Sequence, residues 1–194
     1  MNKPNGYDQT KASREFTPIV LGGHRAIIKQ VEETKSRSGK NMVVVYIDFA
    51  SEDAQPRYFE DQYRSDTRDP KKWPFQAVQY IVTEDSEGNT SRSFKSFCTS
   101  FENSNGVQIK WGNSGWCDQF KNRRIGVVFG EVEEEYNGEI KTRRRIRWFC
   151  DDGKASDADI PAKKFASGSS SSAPTNSGDE WMSTDFSGEE LPFR

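Results

Sequence analysis

Hydrophobic and polar positions alternate through HRAIIKQVEET, residues 24–34, with Ala26 and Ile28 on one face and Ile27, Lys29 and Val31 on the other. This period of two predicts a strand. SRSGKN follows as a turn, with Gly39 supplying the permissive backbone. NMVVVYIDFA, residues 41–50, places Val43, Val45, Ile47 and Phe49 on one face and Met42, Val44 and Tyr46 on the other. Consecutive β-branched residues disfavour a helix, so a strand covered on both sides is expected.

RYFEDQYR, residues 57–64, alternates weakly and predicts a third strand. In PFQAVQYIV, residues 74–82, no propensity separates strand from helix, and a helix is the expectation. SRSFKSFCTSFENSNG, residues 91–106, is clearer. Phe94, Phe97, Cys98 and Phe101 recur at i, i+3, i+4 and i+7, one helical face, and Asn105-Gly106 ends it. Residues 107–124 hold two tryptophans near Gly106, Gly112 and Gly115, which predicts a packed loop with a short helix at 117–122.

The strongest local signal is IGVVFGEVEEEY, then Asn137-Gly138, then EIKTRRRIRWF. Asn-Gly between β-rich arms predicts a hairpin with a type I′ turn. Ile125, Val127 and Phe129 share a face on the first arm. Ile140, Ile146 and Trp148 share one on the second, opposite Arg143, Arg145 and Arg147. Glu131, Glu133 and Glu135 lie within reach of these arginines across the ladder.

The predicted fold class is mainly β with a helix. Five strands with a helix between the third and fourth suit an OB-fold-like five-stranded barrel with N-terminal and loop extensions. A split sheet with a flanking helix fits the same count. The organisation reads as an arm over 1–18, docked through Tyr7 and Phe16, and a domain over 19–160. A Gly/Ser-rich acidic linker over 161–188 and a terminal tip over 189–194 follow.

Charge sharpens this division. The chain of 194 residues has a formal net charge of -2. Within 168–194, Asp179, Glu180, Asp185, Glu189 and Glu190 face only Arg194, a net of -4, so the rest carries +2. A mean hydropathy of -0.91 marks part of the chain as unfit for a core. Cys98, Cys117 and Cys150 are far apart and form no CxxC, so free thiols in a reducing compartment are expected. No apolar run approaches the roughly 18 residues needed to span a bilayer, so no membrane role is expected.

Catalytic patterns are missing from the sequence. His24 is the single histidine, follows two glycines and is read as a surface or edge residue. Asp48, Asp61, Asp66 and Asp69 come nearest to a metal-binding set, but their spacing is that of solvated acids. Neither GGHRA nor GVVFG is a phosphate loop. The expectation is therefore a protein with no catalytic residues, no metal and no cofactor.

A different chemistry is present. Tyr58, Tyr63 and Trp73 are interleaved with Arg64, Arg68, Lys71 and Lys72, and Tyr46 lies on the second strand. Lys141, Arg143, Arg145 and Arg147 form a second cationic row on the hairpin. Rings that stack on bases and cations that follow phosphates are the means of sequence-independent single-strand binding. The alternative is a protein-interaction adaptor whose body does not bind nucleic acid, with a metal-dependent nuclease using Asp48, Asp61 or Asp66 as the remote third. In the tail, Glu189 and Glu190 suit a basic pocket on a partner protein, and Leu191, Pro192 and Phe193 suit an apolar slot.

GEELPFR resembles the acidic, hydrophobic tip of phage and bacterial single-stranded DNA-binding proteins, with Glu189, Glu190, Leu191, Pro192 and Phe193 matching and Arg194 departing. SGKNMVVVYIDF, YRSDTRDPKKWPF, SFKSFCTSFENSN and the hairpin resemble the bodies of such phage proteins. The resemblance implies an OB-fold barrel that coats single-stranded DNA. It also implies replication or recombination proteins recruited through the tail, a possible homo-oligomer, and residence in the cytoplasm of a bacterial host.

Overall fold

A computed structural model of the chain describes residues 2–8, 17–112, 114–136 and 138–165. Five antiparallel strands form one sheet in the order β3-β2-β1-β4-β5. The strands are β1 (Gly22–Lys35), β2 (Asn41–Phe49), β3 (Val78–Val82), β4 (Arg124–Tyr136) and β5 (Glu139–Cys150). Helix α1 (Tyr58–Ser65) lies between β2 and β3, and α2 (Arg92–Asn105) between β3 and β4.

The first two strands follow the hydrophobic pattern with one shift. The β1–β2 register breaks between Ile28 and Gln30. This bulge returns Val31 to the core face beside Ala26 and Ile28, against the simple alternation. The freed backbone is used: Ile28 N donates to Arg123 O (2.9 Å), and Asn122 N donates to Ile28 O (2.8 Å). In β2 both faces are buried, as its valines predict, and Gly39 in the preceding turn has φ +80°.

Residues 58–65 are helical, not a third strand. Arg57 enters the left-handed region at φ 54° and breaks the extended path. One carboxylate oxygen of Asp48 accepts from the backbone N–H of both Phe49 and Phe59, each at 2.9 Å, which holds the start of the helix. Glu60 and Asp61 in the first turn and Arg64 in the last suit the helix dipole. Residues 75–82 depart the other way: Phe75–Ala77 make one 3₁₀ turn, and Val78–Val82 are a strand on β2. Val78, Tyr80 and Val82 are β-prone, and a neighbouring strand edge decided what propensity left open.

Helix α2 matches its periodicity. Ser91 Oγ accepts from Phe94 N (3.2 Å), and Gly106 closes the helix at φ 61°. Phe97 and Phe101 meet Phe120, from the 3₁₀ turn Trp116–Phe120, at ring-centroid distances of 5.3 and 4.5 Å. With Phe49, Phe59 and Phe129 these rings fill the core. The β4–β5 hairpin forms, with Tyr136 opposite Glu139 and Gly138 at φ +76°, and Asn137 lies outside the described residues. But the register shifts between Val128 and Phe129, so Ile146 and Phe149 are buried while Trp148 and Ile140, expected on the face of Ile146, are exposed.

The barrel does not form. Among the described residues β3 pairs only with β2, and β5 only with β4, so the sheet is open. The OB-fold-like class is corrected to a mixed α/β fold: an open five-stranded antiparallel sheet with packed helices. The reason lies at the edges. β3 is five residues long and begins at a 3₁₀ turn. Beyond its other end, Ser91 N donates to Thr83 O (2.8 Å) and Ser91 Oγ to Val82 O. The last carbonyl of β3 is thereby bonded locally and is not offered to a closing ladder.

The chain after β5 folds back across the sheet. The 3₁₀ turn Asp152–Asp157 sits on β1 so closely that a Cβ on Gly23 would lie 1.7 Å from Ala155 O. Arg25 Nε donates to Asp152 Oδ1 (3.1 Å). Farther on, Lys164 N donates to Glu131 O and Glu133 N donates to Lys164 O, at 2.9 and 2.8 Å, a parallel bridge on β4.

Candidate functional site

The loop half of the predicted contact surface is largely bonded to the body. Trp73 packs against the core and donates Nε1–H to Ile47 O (3.1 Å). Tyr58 donates its hydroxyl to Thr17 O (2.6 Å), and its ring meets Phe59 at 5.1 Å. Tyr63 lies 5.3 Å from Trp73. Lys71 donates to Arg64 O (2.8 Å), and Arg64 pairs with Glu60. Arg68 clamps Asp66 (2.7 Å), and chiefly this hydrogen bond holds the Asp66 carboxyl well below the usual range. Lys72 is exposed, and its backbone N–H also donates to Asp66 (3.2 Å).

The hairpin half is similarly occupied. Glu134 receives Arg145 in a two-pronged contact (2.6 and 2.9 Å) and Arg143 at 3.2 Å. Lys141 pairs with Glu139 (3.0 Å). Arg147 donates to Ala162 O (2.8 Å), and burial lowers its pKa. Tyr46 stands apart, its hydroxyl on Glu32 (3.3 Å) and its pKa pushed up first by burial and then by that carboxylate. The loop and hairpin halves approach each other where the Arg145 guanidinium lies 4.1 Å from the Phe75 ring centre. Glu189, Glu190, Leu191, Pro192 and Phe193 lie outside the described residues, as does Phe16, whereas Tyr7 is exposed.

The titratable candidates are structural. His24 is buried, not a surface residue. Its Nδ1 faces Asp53 Oδ1 (2.9 Å) and its Nε2 faces Val20 O (2.8 Å), with the ring stacked 4.2 Å from Phe49. Glycines 22 and 23 bring the strand under the returning chain, so the position closes over. Asp48 is spent on backbone N–H groups, Asp61 lies 3.9 Å from Arg57, and Asp66 is held by Arg68. Among the described residues no three His, Cys, Asp or Glu side chains are grouped to hold a metal ion.

A second surface emerges from the loop that the sequence marked only as packed. Trp111 is 58% exposed, yet it is not loose. Its ring lies 5.3 Å from Trp116 and 6.1 Å from Phe94, and Trp116 lies 5.5 Å from buried Phe120. The Trp116 indole N–H donates to Glu33 Oε1 (2.7 Å). Gln119 fastens the backbone beneath: its Oε1 accepts from Lys110 N (2.9 Å), and its Nε2 donates to Lys110 O and Trp116 O (3.2 and 2.7 Å). The result is an indole platform backed by the core. Its sequence signal, WGNSGWCDQF, pairs two indoles with an amide that can hold both ends of the turn.

Compared with known proteins, the chain matches no family model and no curated protein. The expected place among single-stranded DNA-binding proteins is withdrawn. That reading needed a closed barrel, and the sheet is open. Coating of single strands in replication, recombination or repair falls with it.

Proposed function

We propose that the protein is a non-catalytic adaptor that docks onto other proteins, with the indole platform of the folded body as its principal contact. The carrying observation is Trp111, a large apolar side chain left in solvent but fixed from behind by Trp116, Phe94 and the Gln119 bonds. Tryptophan presents much contact area at low entropic cost and is enriched where proteins bind one another. A ring already held in place loses little freedom on binding. The acidic and apolar segment Glu189–Phe193 supplies a second contact, suited to a basic slot with an apolar floor.

A photo-crosslinking residue placed at position 111 of the full chain tests this reading, with position 87 in the exposed turn after β3 as control. Discrete protein adducts, formed in an extract of the source cell and specific to position 111, are the expected result. Identical adduct patterns from both positions, or none from 111, would overturn it.

A further inference from the structure

The surroundings of the platform specify its partner more narrowly. Glu33 holds the Trp116 indole, Glu32 precedes it on β1, and Asp118 lies on the turn that carries Trp116. These carboxylates share one field: the Cys117 thiol between them is pushed up to about 11, first by burial and then by Glu33, Asp118 and Glu32. Glu32 itself lies on the other face of β1, where it accepts from Gln30 (2.6 Å) and Tyr46 (3.3 Å). No lysine or arginine among the described residues forms an ion pair with Glu32, Glu33 or Asp118, and Lys110, next to Trp111, is not joined to them. Other carboxylates hold a cation directly, as Asp66 does Arg68 and Glu134 does Arg145. Here an exposed indole face adjoins Glu33 and Asp118, carboxylates that hold no cation among the described residues.

We propose that the Trp111–Trp116 platform binds a cationic segment of a partner protein, one arginine or lysine lying over the free face of Trp111 with its charge met by Glu33 and Asp118. Rings attract cations through their negative faces, tryptophan most strongly, and arginine adds planar stacking. The carboxylates supply complementarity that steers encounter and rejects acidic partners. The inference rests on the adaptor reading and names the chemistry that the adaptor recognises.

The test uses the full chain, labelled so that the indole N–H signals of Trp111 and Trp116 are read by NMR. Three probes are titrated at low salt: an arginine–glycine peptide, the same peptide with glutamine for arginine, and oligo-dT. The expected result is a saturable shift of both indole signals with the arginine peptide alone. Trp111→Ala then weakens affinity by about tenfold, and Glu33→Gln or Asp118→Asn by a few-fold, with a flatter salt response. Trp111 is exposed, so Trp111→Ala keeps the wild-type spectrum elsewhere; Gln119→Ala, which frees the turn, weakens binding without removing either ring. Unmoved indole signals with the arginine peptide, equal affinity for the glutamine peptide, or shifts with oligo-dT alone would overturn the proposal. Adducts specific to position 111 alongside any of these results would leave the adaptor standing and remove only its cationic partner.

Discussion

The guanidinium of Arg145 lies over the ring of Phe75, 4.1 Å from its centre, and this contact joins the two ends of the open sheet. Phe75 belongs to the turn leading into β3, and Arg145 belongs to β5. Side chains thus meet where no backbone ladder runs. A cation over a part-exposed ring contributes about 0.5–1 kcal/mol. A double-mutant cycle of Phe75→Leu and Arg145→Gln, followed by chemical denaturation, is expected to give a coupling of about that size. Strict additivity would show that the contact contributes nothing.

Gly23 leaves no room for a side chain. Its added Cβ would meet Ala155 O at 1.7 Å and Ala155 C at 2.7 Å, both backbone atoms. Gly23→Ala must displace the turn after β5, at a cost of about 1–3 kcal/mol, typical of overpacking. Gly153→Ala, in the same turn but facing open space, is the control and leaves the melting temperature near wild type.

Stability at acid pH depends on the Asp53 carboxyl. Burial pushes its pKa up, but bonds from His24 and from the backbone of Gln55 and Arg25 more than offset this and hold it below the ordinary value. A depressed acid contributes fully above its unfolded pKa of about 3.9, and the contribution is lost as pH falls through the folded value. Asp53→Asn therefore gives a shallower fall of melting temperature below about pH 4 than wild type. Asp48 acts in the opposite sense. Its pKa is raised, chiefly by burial, so its protonation on acidification favours the fold. An Asp53→Asn profile parallel to wild type would contradict this account.

The thiols are predicted to be sluggish in the native state. Burial pushes Cys98 up to about 12, and Cys117 and Cys150 up to about 11. The thiolate is the nucleophile, so little reactive form exists near pH 8. Reaction with a disulfide reagent is expected to be slow in buffer and rapid for all three cysteines in denaturant. A native thiol reacting at the denatured rate would show that its site is open.

Local signals were legible where they were dense. The four apolar positions of α2 and the Asn-Gly of the hairpin specified those elements. Long-range choices were not. Residues 58–65 carry a pattern that serves strand or helix, and Asp48, ten positions before the helix, decided for helix by holding its first turn. The open sheet turned on edge bonds from Ser91, which no periodicity reports. His24 looked peripheral because its cover, the chain around Ala155, lies far along the sequence. The rings of Tyr58 and Trp73 read as exposed platforms, yet each is tied by its polar atom to a distant backbone carbonyl. Among the described residues the most exposed indole was instead Trp111.

β5 is the outer strand of the sheet, and an outer strand can template a copy of itself. Two molecules meeting there would set Lys141, Arg143, Arg145 and Arg147 of one against the same row of the other. Opposed like charges destabilise such a seam and discourage growth into ribbons. Strong salt, with a screening length of about 3 Å at 1 M, removes that guard. Light scattering on concentrated stocks is therefore expected to report a rising apparent size as electrolyte is added.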